Sequence, residues 1–199
     1  MRKVFGTALV FAAVMAGVAV AADDAAAFVG VKGCGMCHKK PETGDQLGKW
    51  QASPHAGAFA ALGKPEAKAV AAKLGIDDPQ KSGKCLKCHS TAYNLTETLQ
   101  VKPLEEGATA KIVPEDGVTC ESCHGAGKGY KAITVMKDRT QAVAGCMVYP
   151  ATQSCAKCHN EQSPVWKTDR YTTKDGKKVG FDAEQAAVKI AHPDPLVKK

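Results

Sequence analysis

Two cysteines separated by two residues and followed at once by a histidine occur four times in the chain. The copies are Cys34-Gly-Met-Cys37-His38, Cys85-Leu-Lys-Cys88-His89, Cys120-Glu-Ser-Cys123-His124 and Cys155-Ala-Lys-Cys158-His159. They use eight of the nine cysteines and four of the six histidines. This spacing puts both sulfurs on one face of a helical turn, where two thiols can add across the two vinyl groups of one porphyrin. The histidine then lies beneath the ring and supplies the proximal ligand of the iron. The expected cofactors are therefore four covalently bound haem c groups. Cys34, Cys37, Cys85, Cys88, Cys120, Cys123, Cys155 and Cys158 attach them, with His38, His89, His124 and His159 as proximal ligands. Zinc sites and disulfide frameworks also use Cys-X-X-Cys pairs, but neither explains a histidine after every pair. Cys146 is left over, and a buried inert thiol is its expected state, with a link to another chain as the alternative.

The elements that must position these motifs are short. Motif starts are 51, 35 and 35 residues apart, but the intervening segments share no pattern, so the chain is not a solenoid. A helix is expected from Pro65 to Leu74 with a stop at Gly75, and a second from about Asp182 to Ile190, ending before Pro193. A third covers Asp45 to Leu62, interrupted near Pro54. The β signal is confined to stretches such as Lys111-Ile112-Val113. Glycines gather at the motifs, among them Gly33, Gly35, Gly83, Gly117, Gly125, Gly127 and Gly129, where backbone is expected to approach the macrocycles. The fold class is mostly α with extensive irregular loops, a compact multihaem c-type cytochrome whose core is built around the four haems. Trp50, Trp166, Tyr130 and Phe181 are expected to pack on haem faces and edges.

Two axial histidines on each of four irons would require eight, and the chain has six. Only His55 and His192 remain as distal ligands, so at least two haems must use methionine, another donor, a partner's histidine or an open position. Met136 and Met147 are the thioether candidates, with core packing as their alternative role. Met36, inside the first motif, is poorly placed to reach over that ring.

Residues 1–21 read as a secretory signal peptide: Met1-Arg2-Lys3, an apolar run from Val4 to Val20, then small residues, with cleavage after Ala21 or Ala22. Residues 22–199 then form one tetrahaem domain of about 178 residues, roughly 45 per haem. Export implies the periplasm, with the cell surface as the alternative, and membrane association at most peripheral. The formal charge of +7 does not indicate nucleic acid as a partner. Loss of Arg2 and Lys3 and addition of the haem propionates bring it to about +1 oxidised and about −3 reduced. Lys64, Lys68 and Lys73 are expected on solvated faces or in a docking patch.

Several segments carry a family resemblance. They are Trp50-Gln51-Ala52-Ser53-Pro54-His55 with Ala56, the run from Gly117 through Cys120-Glu121-Ser122-Cys123-His124 to Gly127, Ser163-Pro164-Val165-Trp166, and the C-terminal helix ending in His192. Through them the chain resembles the tetrahaem cytochrome c-554 family. The resemblance implies a mostly helical electron carrier with haems in closely stacked pairs. By position it makes His55 the sixth ligand of the fourth haem and His192 that of the third, and leaves the iron held by His89 five-coordinate. The family also carries a histidine shortly after its third motif that ligates the first haem. Here that stretch reads Lys128-Gly129-Tyr130-Lys131, which leaves Met136 or an open position at the first iron.

The function expected from these features is single-electron transfer between redox partner proteins outside the inner membrane. Two alternatives stand beside it. One is a multihaem reductase acting at an open haem on a small nitrogen, oxygen or sulfur species, although no proton-donor set near His89 is legible. The other is a subunit of an extracellular haem filament, an oligomer in which chains donate histidines to one another.

Overall fold

The computed structural model describes residues 28–93 and 112–193. The expected signal peptide and Lys111 lie outside the described residues. Nine short α-helices are described: α1 Gly30–His38, α2 Gln46–Gln51, α3 Ala58–Leu62, α4 Pro65–Lys73, α5 Gly83–His89, α6 Cys120–His124, α7 Ile133–Met136, α8 Arg139–Ala144 and α9 Ala183–Ile190. Single 3-10 segments at Pro41–Thr43, Pro114–Asp116, Gly127–Gly129 and Ala151–Lys157 connect them. The architecture is mostly helical with extensive loop.

Local chemistry sets the helix ends. Pro65 occupies the first turn of α4, Glu66 follows it, and Gly75 at φ +65° closes the helix. Asp182 caps α9 by accepting from Gln185 N–H at 3.0 Å, and Asp138 caps α8 by accepting from Gln141 N–H at 3.1 Å. The segment expected as one interrupted helix from Asp45 divides into α2 and α3 across Ser53-Pro54, because proline cannot donate within a helix. Lys64, Lys68 and Lys73 are all exposed.

Two expectations need correction. Ile112 and Val113 are not in a strand. The described β structure is instead a two-residue hairpin, β1 Tyr171–Thr172 against β2 Lys178–Val179, in antiparallel register Tyr171 to Val179. Its turn uses Gly176 at φ +82°, where glycine takes the left-handed conformation at no steric cost. Cys146 is exposed rather than buried, and it holds φ +74°. It follows directly on the end of α8, where the turning chain presents it to solvent.

Among the described residues the buried apolar side chains are few and mostly small: Phe28, Ala58, Leu62, Ala71, Leu86, Ile112, Tyr130 and Ala142. Packing is instead between motif-bearing segments. Helix α1 lies against α6, α6 against the Ala151–Lys157 segment, α3 against α5, and α9 against Ala151–Lys157. The first, third and fourth motifs are thereby gathered together, and α5 with the second motif packs on α3.

Candidate haem sites

Each motif sits on a helical turn. The first ends α1, the second ends α5, the third is α6, and the fourth runs out of Ala151–Lys157, where His159 N–H donates to Cys155 C=O at 2.9 Å. Two histidines have their ring orientation set by an acceptor. His89 Nδ1 lies 2.7 Å from the Ala58 carbonyl oxygen, which can only accept. The proton therefore sits on Nδ1 and the lone pair on Nε2, ready for a metal. His38 Nδ1 is 3.3 Å from Gln46 Oε1, and Gln46 spends its amide donors on the Thr43 and Pro193 carbonyls. That leaves its oxygen to accept from His38, with the same result for the tautomer.

The cysteines meet across motifs. Cys34 of the first motif is in thiol contact with Cys120 of the third, which together with burial pushes the Cys34 thiol up. Cys88 of the second motif makes the same contact with Cys158 of the fourth. There the shared hydrogen bond lowers Cys88 and raises Cys158. Burial first, and then the neighbouring Cys155 and Cys120, push Cys123 up to about 11. The Ser154 hydroxyl donates to Cys123 C=O at 3.0 Å, tying the third motif to the fourth. Motifs one and three, two and four, and three and four are thus immediate neighbours.

Four of the six histidines face one another in pairs. His55 and His159 have ring centroids 6.1 Å apart, and His124 and His192 are 5.8 Å apart. A metal sits about 2.0 Å from an imidazole nitrogen, and the ring centroid lies about 1 Å beyond it. Two imidazoles on opposite sides of one iron should therefore have centroids about 6 Å apart, the spacing of both pairs. Burial lowers the pKa of both His55 and His159, and for His159 the His55 and Arg170 charges add to the effect. The neutral imidazole so favoured is the form that ligates. Among the described residues no group of three or more histidine, cysteine or carboxylate side chains converges on a point. A protein-caged zinc needs four such ligands. Two facing imidazoles suit a metal already held by a macrocycle.

The chain path explains how distant residues reach these positions. His55 lies in the turn between α2 and α3, where its carbonyl accepts from Val118 N–H at 3.0 Å and Trp50 Nε1–H donates to Val118 C=O at 2.8 Å. Gly117, at φ +67°, permits that approach: a Cβ there would stand 2.7 Å from the His55 carbonyl oxygen. The glycine serves a backbone-to-backbone contact. His192 follows α9, and Gln46 Nε2 donates to Pro193 C=O at 3.0 Å, fixing the tail beside the first motif.

His38 and His89 face no second imidazole, although all six histidines are among the described residues. Met136 ends α7 and Met147 follows α8, both half-buried. Of the aromatic residues, Phe181 stacks on the His159 ring at 4.6 Å and 9°, braced edge-on by Tyr171 at 5.8 Å. Tyr130 is buried, with its hydroxyl donating to Gly125 C=O at 2.7 Å. The hairpin that delivers Phe181 was marked in the sequence only by its turn at Asp175-Gly176, and the buried carboxylate of Glu121 had no signal there. A glutamate between two motif cysteines reads as an ordinary exposed residue.

A family model described as cytochrome c554 and c-prime matches residues 33–125. Cytochrome c-554 of Nitrosomonas europaea is 31% identical over 138 residues, which cover 66% of this chain and 52% of that protein. The chain spans about half the length of that relative. No solved structure matches. Attachment motifs on helical turns, imidazole pairs at the spacing of a shared iron, and agreement with both the family model and the relative lead to one conclusion: the chain belongs to the cytochrome c-554 family of c-type cytochromes.

Proposed function

We propose that the protein is an exported, periplasmic electron carrier that relays single electrons between redox partner proteins through four covalently attached c haems. The observation that carries this reading is the pair of imidazole contacts at 6.1 and 5.8 Å. When bound, each haem supplies an iron that cycles between ferric and ferrous states. The chain's own residues attach, ligate and shield. Cys155 and Cys158 would attach one haem, which His159 and His55 would also hold. Cys120 and Cys123 attach another, with His124 and His192. Cys34 and Cys37 with His38, and Cys85 and Cys88 with His89, hold the remaining two. Two imidazoles on one iron leave it no vacant position, as suits a carrier that changes charge without binding substrate. Contact of Cys34 with Cys120, and of Cys88 with Cys158, supports haems arranged in adjacent pairs, one and three beside two and four.

A second reading rests on His38 and His89, which face no further imidazole. An iron with a vacant position can bind a small nitrogen, oxygen or sulfur species, and the ligated haems then act as its electron supply. Low-temperature electron paramagnetic resonance of the oxidised holoprotein, repeated with nitric oxide after reduction, separates the two. A wholly low-spin spectrum without a nitric oxide adduct would sink the reductase reading and assign the missing ligands to Met136, Met147 or another chain. A high-spin signal lost on nitric oxide binding would keep it.

A further inference from the structure

The third motif carries a carboxylate that haem attachment does not need. Glu121 lies between Cys120 and Cys123 and is only 4% exposed. Its Oε1 accepts from Val29 N–H at 2.9 Å and from Gly127 N–H at 2.7 Å, while its Oε2 accepts from Gly30 N–H at 2.9 Å. Both oxygens serve only as acceptors, the pattern of an ionised carboxylate. All three donors are backbone amides, and no ion pair to Glu121 occurs among the described residues. Its charge is therefore solvated by dipoles and not cancelled by a cation.

The placement puts that charge between two attachment sites. Val29 and Gly30 open α1, which carries the first motif, and Cys34 on that helix touches Cys120 beside Glu121. Burial pushes the Tyr130 phenol up, and the nearby Glu121 charge adds to the shift. The loop that brings Gly127 to the carboxylate is closed by the Tyr130 hydroxyl on Gly125 C=O, and a Cβ at Gly127 would stand 3.0 Å from Oε1 and 2.8 Å from Val29 Cγ2. A negative charge in a poorly solvated interior acts strongly on any nearby group that gains an electron.

We propose that Glu121 is a redox-tuning residue, whose buried charge, held by the Val29, Gly30 and Gly127 amides, lowers the reduction potentials of the haems attached through Cys34 and Cys120. The inference rests on the tetrahaem reading above. One electron from the external reductant enters a ferric iron and makes it ferrous, and Glu121 opposes that gain while exchanging neither electron nor proton. A purely mechanical clamp between α1 and α6 would fix geometry and leave the potentials alone.

The test is a spectroelectrochemical titration of purified holoprotein carrying Glu121→Gln, which removes the charge and nearly conserves the volume. Two of the four haems are expected to become easier to reduce. The gain in each reduction equilibrium is about tenfold or more, which for one electron is about 59 mV. The other two haems stay in place, and so do all four in the control Glu161→Gln, which removes an exposed carboxylate. Haem content comes first: fewer than four haems in the wild type would fell the tetrahaem reading and this inference with it. Four haems with unshifted potentials would overturn the inference alone. If Glu121→Gln does not mature, two measurements replace it. Glu121→Asp, which keeps the charge, should leave the potentials near wild type, and a large rise would count against the proposal. Redox-difference infrared spectra of the wild type should show a buried carboxylate stretch that shifts as the low-potential pair is reduced, and an unchanged carboxylate region would refute it.

Discussion

Replacing His55 by alanine removes one imidazole from the 6.1 Å pair with His159 and keeps the backbone anchor, the Val118 N–H to His55 C=O bond at 3.0 Å. The turn between α2 and α3 is therefore expected to hold its path, and the effect falls on a single iron. On the proposed content of four haems, one iron is about one quarter of the haem signal, and that fraction should pass from low-spin to high-spin ferric. After reduction the variant should bind one more nitric oxide per chain than the wild type. The assay is spin quantitation by electron paramagnetic resonance together with a nitric oxide titration, and added imidazole should restore the low-spin fraction. His192→Ala should repeat the result for the iron held by His124. The double variant should convert about half of the iron, because the two pairs share no ring and independent sites add. An unchanged low-spin fraction in His55→Ala, with haem content intact, would mean that His55 is no ligand and that the 6.1 Å spacing arises from packing alone.

Gly117→Ala should destabilise the fold by roughly 1–3 kcal/mol, because φ +67° and a Cβ 2.7 Å from the His55 carbonyl oxygen both oppose a side chain. Chemical denaturation measures that loss, and the low-spin signal of the His55–His159 iron should shift while that of His124 does not. Burial holds the His55 and His159 imidazoles below their ordinary pKa. As pH falls the unfolded chain takes up their protons first, so the stability they contribute is complete above about 6.5 and is lost below it, toward the folded pKa. Acid titration followed by spin state and urea stability should show this loss, and a loss on raising pH instead would contradict it. Cys146 is exposed, so native holoprotein should react with one equivalent of a thiol reagent per chain, and mass spectrometry should place the label on Cys146. Absence of labelling would mean that the thiol is buried or joined to another chain.

That the four Cys-X-X-Cys-His motifs would lie on helical turns was legible because the geometry is local: two cysteines and a histidine span one or two turns, and a turn is dictated by a handful of neighbouring residues. Helices α4 and α9 were legible for the same reason, through Pro65, Gly75 and Asp182 at their ends. The resemblance carried the pairing of His55 with the fourth motif and of His192 with the third, and the structure brings those side chains to 6.1 and 5.8 Å of their partners. Composition and spacing left the partners open, since which imidazoles meet depends on how the loops return. Tertiary structure alone decided the rest. The hairpin sets Phe181 on His159, the end of α8 turns Cys146 outward, and Glu121 gains its role only when α1 is laid against α6. No window of sequence holds both Glu121 and the Val29 and Gly30 amides it accepts from, so the burial of that charge is a property of the assembled chain.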